Sequence, residues 1–446
     1  MKIVFNKLQT SKETIQISLD GGTSWKSYVV SEIIETGIPL DDNQDYEKIQ
    51  IKGSASVLKN LDVVKSIEIP ESITNTDGIF TYDLESKTFG NNITSVKVPE
   101  GYTSINVFAF MLCTSLTSIE LPESLTSIGE YAFGGCSSLT SIDLPESLTS
   151  IGSHAFNSCS SLTSLNFSEG LTSIGEYAFY NCTSLTSIDL PESLTSIGDD
   201  AFSGCTGLTN VIVPDKLEWD SDTFPSGIEY ITYKSGKKYL NKVDNTVKNY
   251  TIDPNTIKIG DSAFQDCSSL TSITIPESLT SIGYDAFNGC TNLTSITIPD
   301  GVASIENRVF FKCTGLTSID LPESLTTIGI QAFGNCTSLT SIDLPEGLTS
   351  ISSSAFSGCT GLTSINIPDG VPSINNNAFF ECSSLTSVTI PTSVTDIRGY
   401  AFYDCTSLKT INFKGTREQW NAISKDSNWK YGCPSDMVIN YNYQGE

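Results

Sequence analysis

Residues 136–159 read CSSLTSIDLPESLTSIGSHAFNSC, and the fold is decided in this stretch. In Ser141-Ile142-Asp143-Leu144 polar and apolar residues alternate, the period of a strand that turns Ile142 and Leu144 inward. Pro145 has no N–H to give to a ladder and ends that strand. Leu148-Thr149-Ser150-Ile151 predicts a second short extended piece, after which Gly152 turns the chain. Ala155, Phe156 and Cys159 are spaced i, i+1 and i+4, which predicts a single helical turn with these three on its buried side.

The unit recurs. Cysteines stand at 113, 136, 159, 182 and 205, then at 267, 290, 313, 336, 359, 382 and 405, and within each block the step is 23 residues. A period of about 20–29 residues with Leu-x-x-Ile-x-Leu in each copy is the mark of a leucine-rich-repeat solenoid. One coil cannot bury its apolar side alone, so Ile142 is expected to cover Ile119, and Leu144 to cover Leu121. Strand slots without the cysteine fall at 64–70 and 93–99, and an oversized coil fills about 214–262, with a strand at 228–233 and a Lys-rich turn at 235–242. Counting these gives about fifteen coils.

The flanks differ. In residues 1–56, TIQISLDGGTSWKSYVV predicts two strands joined at Asp20-Gly21-Gly22, and KIQIKG predicts another. In residues 414–446, Thr416 and Gln419 fit a capping box, and Trp420 and Ile423 share a helix face. The reading is an α/β leucine-rich-repeat solenoid over 57–413, between an N-terminal β-rich domain and a C-terminal helical cap to which Trp429 and Val438 contribute.

The unit LTSIDLPESLTSIGxxAFxxC closely resembles the BspA-like (treponemal-type) leucine-rich repeats, from roughly residue 57 to 413, and GTREQWNAISKDSNW is similar to the segment that closes many such arrays. The resemblance implies a right-handed horseshoe with one parallel strand and a short helical turn per coil. It also implies a bacterial or protozoan surface protein, often an adhesin for host proteins or cells. Related arrays occur on phages and phage-like particles, which is the alternative setting.

Composition narrows the function further. With 25 Lys+Arg against 51 Asp+Glu the net charge is −26, so phosphate backbones and anionic lipid surfaces repel the chain, and no nucleic-acid partner is expected. No apolar run is long enough to enter a membrane, and MKIVFNKLQTSKETIQ lacks the apolar core of a secretory leader. There is one His, no Cys-x-x-Cys and no Cys/His cluster, so neither a cofactor, a metal site nor catalytic residues are assigned. The cysteines read as free, buried thiols. Ser18, Asp20, Gly22, Ser24 and Trp25 follow the spacing of an Asp-box, which occurs once and reads as a braced hairpin turn. His154 reads as an exposed residue. The acids after each proline, from Glu123 to Asp369, line one edge and read as solvated carboxylates.

A binding surface is expected where the copies disagree. The strand face presents a near-uniform Ser stripe beside Asp, Asn and Thr, with few anchors. Five residues before each cysteine, and again two before it, the residue varies and is often aromatic. These slots predict partner contacts at Tyr131, Tyr177, Tyr180, Phe311, Phe380, Tyr400 and Tyr403, for a protein or glycan at a cell surface.

Overall fold

The computed structural model describes residues 94–98 and 100–444, and before them the backbone of short strands alone. The Asp-box turn at 19–25 lies outside the described residues. By contact density the chain forms two compact units, Met1–Ile228 with Thr232–Ser235, and Glu229–Ile231 with Gly236–Glu446.

In the first unit, strands stack in parallel with the 23-residue register of the repeat: Ser141 pairs with Ser164, Ile142 with Leu165 and Asp143 with Asn166. The alternation is as expected, since Ser141 and Asp143 are exposed and Ile142 is buried. A second parallel ladder joins Ser104–Ile105, Ser127–Ile128, Ser150–Ile151, Ser173–Ile174 and Ser196–Ile197. Toward the N-terminus, Ser95–Lys97 pairs with Ser66–Glu68, which pairs in parallel with Ile49–Lys52. Thr14–Ser18 then pairs antiparallel with both Ile49–Lys52 and Lys26–Val29, as a hairpin requires.

The second unit repeats the plan, for example Ser364–Asn366, Ser387–Ile390 and Thr410–Phe413 in the first ladder. The Lys-rich stretch is only partly a turn, because Lys238–Leu240 forms a strand beside Thr256–Ile259. The Lys238 ammonium pairs with Asp253 at 2.5 Å.

The expected helical turn is absent from the described coils. Between Gly129 and Cys136 the backbone makes successive tight turns, with Ala132 N–H to Gly129, Gly134 to Tyr131 and Cys136 to Phe133. The N–H groups between them point to the next coil, Tyr131 to Ser153, Phe133 to Ala155 and Gly135 to Asn157. An α-helix would spend its donors on its own chain and leave neighbouring coils unbonded. Alternation is made possible by left-handed residues at both ends of the segment, such as Tyr131 at φ 53° and Gly135 at φ 77°.

Side chains close the stack. Phe110, Phe133, Phe156, Phe179 and Phe202 are fully buried and stacked at 5.0–5.3 Å between ring centres. Pairs of this kind add about 0.5–1.5 kcal/mol beyond their buried area. Ser and Thr, which replace charge in this chain, form hydroxyl ladders: Thr149 donates to the Thr126 carbonyl at 2.9 Å, and Ser147 to the Leu125 carbonyl at 2.6 Å.

The tail expected as a helical cap continues the coil. The helix Arg417–Ala422 is present, with Thr416 and Gln419 forming the capping box. It stands within a further coil, in the place of the proline turn. After it Ser424–Lys425 pairs with Asp396–Ile397, and Val438–Asn440 with Thr410–Asn412. Cys433 takes the cysteine slot, donating to the Phe402 carbonyl at 3.0 Å. Trp420 and Trp429 are buried, whereas Val438 is an exposed strand residue.

Candidate recognition surface

The variable slot five residues before the cysteine is the first of the two left-handed positions of the coil: Tyr131, His154, Tyr177, Asp200, Asp285, Arg308 and Tyr400 all have φ between 53° and 59°. The slot two before the cysteine is its neighbour on the same outward side, while Ala132, Phe133 and their equivalents are buried. The aromatic residues of these slots fall into three groups.

The first group lies in the first unit. Phe108, Tyr131, His154 and Tyr177 stack in one row, with ring centres 5.4, 4.3 and 4.9 Å apart and planes within 20° of parallel. Tyr180 meets Tyr177 edge-on at 5.6 Å. His154 is therefore half-buried in a tyrosine sandwich and not the exposed residue expected, with Nδ1 2.9 Å from the Asn157 amide nitrogen. Tyr177 hydrogen-bonds Asp200, which raises its hydroxyl pKa. Asp199 is raised in turn by a hydrogen bond with Asp220.

The second group is Phe311, with Arg308 at 4.9 Å and Lys312 at 5.3 Å from its ring centre. The third group lies at the C-terminal end. Phe380, Tyr403 and Tyr431 stack at 4.7 and 5.4 Å, and Tyr400 meets Tyr403 edge-on at 5.5 Å. With Asn377 and Asn428 they line an open groove of about 570 Å³. The Tyr403 hydroxyl is pushed up, first by the Asp404 carboxylate, with burial, Tyr431 and Glu381 adding.

Sequence reasoning missed Tyr431, which is 64% exposed. Its signal was present: it stands two residues before Cys433, as Tyr403 stands before Cys405, but an insertion lengthens that coil and hides the register. On the strand face, a depression of about 400 Å³ is lined by Ser295, Thr297, Ser318, Asp320 and Asp343 without an aromatic side chain. On the acid edge Asp369 pairs with Lys414 at 3.0 Å, and Asp215 accepts hydrogen bonds from Ser235. Among the described residues no group of three or more His, Cys, Asp and Glu is placed to hold a metal ion, and no helix is long and apolar enough to cross a membrane.

A model of the BspA type leucine-rich repeat region matches in six copies, over residues 82–209, 236–360 and 326–427. Among solved structures, the chain is similar to a leucine-rich repeat protein from Bacteroides ovatus, at 25% identity over 90% of this chain and 97% of that one, with a TM-score of 0.48. It is also similar to a leucine rich cell surface protein from Faecalibacterium prausnitzii, at 28% identity over 87% and 96%, TM-score 0.31. A leucine-rich repeat protein of T. pallidum matches at 30% identity over 45% and 78%, TM-score 0.28. Among curated proteins none matches.

Proposed function

The chain belongs to the BspA-type leucine-rich-repeat family, and on that premise we propose that it is a non-catalytic recognition protein that binds a protein or glycan at a cell surface. Leucine-rich-repeat proteins are generally binding scaffolds. The observation that carries the reading is the grouping of aromatic rings on the outward turns of a coil that is otherwise Ser, Thr and acid. Rigid aromatic side chains supply large contact area at little conformational cost, and they dominate interface energetics. The Ser stripe of the strand face offers small hydroxyls and no comparable anchor.

The test uses the full chain, fluorescently labelled, on intact cells and on immobilised extracellular-matrix proteins. Saturable binding that falls in a Phe380→Ala/Tyr403→Ala variant supports the reading. Binding that is non-saturable on every surface, or turnover in a broad hydrolase screen, contradicts it.

A further inference from the structure

One turn of this surface already holds a cation. Arg308 stands five residues before Cys313 and Phe311 two before it, and the guanidinium carbon lies 4.9 Å from the ring centre. Asp285, one coil earlier, holds Arg308 Nε at 3.3 Å, and Lys312 approaches the same ring at 5.3 Å. Ring, cation and carboxylate thus form one unit within the repeat.

At the C-terminal end the ring is kept and the cation is missing. Phe380, Tyr403 and Tyr431 occupy the slot of Phe311, while Asn377, Tyr400 and Asn428 occupy the slot of Arg308. The groove between them is open, and Glu381 and Asp404 follow two of the rings. The bases close by are engaged elsewhere, Lys430 over Trp429 at 5.7 Å and Arg398 with Asp396 at 3.7 Å. The field of Asp404 and Glu381 is felt at the Tyr403 hydroxyl.

We infer that this groove receives arginine side chains from a basic segment of a partner protein, as Phe311 receives Arg308. The inference rests on the recognition reading above and narrows the partner. A neutral glycan fits less well, because it makes no use of the carboxylates of Glu381 and Asp404. A guanidinium is planar, weakly hydrated and attracted to both ring and acid, and a chain of net charge −26 favours its approach.

The test is fluorescence anisotropy of the full chain with a short peptide of alternating Arg and Gly, its citrulline twin and a neutral glucose oligosaccharide. The Arg peptide is expected to bind at least roughly tenfold tighter than the twin. Tyr403→Leu and the shape-conserving Glu381→Gln/Asp404→Asn should each weaken it by roughly tenfold, and Tyr403→Phe should not. Glu146→Gln/Glu192→Gln removes two charges far along the chain and should change affinity by less than about twofold. Equal loss in that control, equal binding of the twin, or groove-dependent binding of the oligosaccharide overturns the inference. If the peptide ignores the groove while cell binding still falls in Phe380→Ala/Tyr403→Ala, recognition by this surface stands and the arginine inference falls. If neither depends on the groove, the recognition reading fails as well.

Discussion

The thiol of Cys136 donates its hydrogen to the carbonyl oxygen of Phe110, 3.1 Å away in the preceding coil. The bond recurs from Cys159 to Phe133, Cys313 to Phe287 and Cys405 to Phe379. Each of these carbonyls also accepts the backbone N–H three residues on, as Phe110 does from Cys113. The cysteine column therefore fills space and joins coils at once, which serine would do with an unfavourable polar group in an apolar stack.

Burial pushes the thiols of Cys113 and Cys159 up to about 12, so they are unreactive near neutral pH. Cys433 differs. It is only half-buried, and the Cys405 thiol, with help from Lys430, holds its pKa below the ordinary value. A thiol reagent at about pH 8 should label one site quickly in the native chain and all thirteen after denaturation. The Cys433→Ser variant should lose the fast phase. Several fast thiols in the native chain would contradict this packing.

Phe333 is fully buried between Phe310 at 5.4 Å and Phe356 at 5.3 Å. Phe333→Ala should cost about 3–5 kcal/mol in urea unfolding, and Phe333→Leu less. Thr149→Val, which removes one rung of the hydroxyl ladder, should cost about 1 kcal/mol or less. Equal costs for Phe333→Ala and Thr149→Val would mean that the rings do not hold the coils together.

Asp199 is raised because it shares a hydrogen bond with Asp220, so the folded chain holds a proton there more tightly than the unfolded chain. Stability from this pair is present at acid pH and is lost as pH rises through the raised value, where both carboxylates ionise and repel. Asp199→Asn should melt higher than wild type at neutral pH, with the difference shrinking as pH falls below the ordinary carboxylate range. A difference independent of pH would show that the two acids do not interact.

On the acid edge, Asp369 and Asp215 already have partners in Lys414 and Ser235. Calcium should raise the melting temperature no more than sodium at equal ionic strength. A calcium-specific rise would reveal a cation site.

The coil was legible because its signals are local and repeated. Alternation at Ser141–Leu144, the stop at Pro145 and the 23-residue cysteine step set the ladders and their register. The turn segment was misread because Ala155, Phe156 and Cys159 have helical spacing, whereas the conformation is set by bonds to the next coil, which no single coil's sequence displays. The stacking of His154 between Tyr131 and Tyr177 was hidden for the same reason, as it joins residues 23 apart. Of the aromatic residues singled out, Phe380, Tyr400 and Tyr403 line one groove, but Tyr431 was concealed by the helix inserted before it.

The central claim, that recognition runs through the aromatic turns, is tested most directly by partner affinity in paired variants of matched melting temperature. Tyr400→Ala/Tyr403→Ala should weaken binding by more than about 1 kcal/mol, while Ser318→Ala/Asp320→Ala on the strand face leaves it within about 0.5 kcal/mol. The reverse pattern would place the site on the strand face and contradict the account.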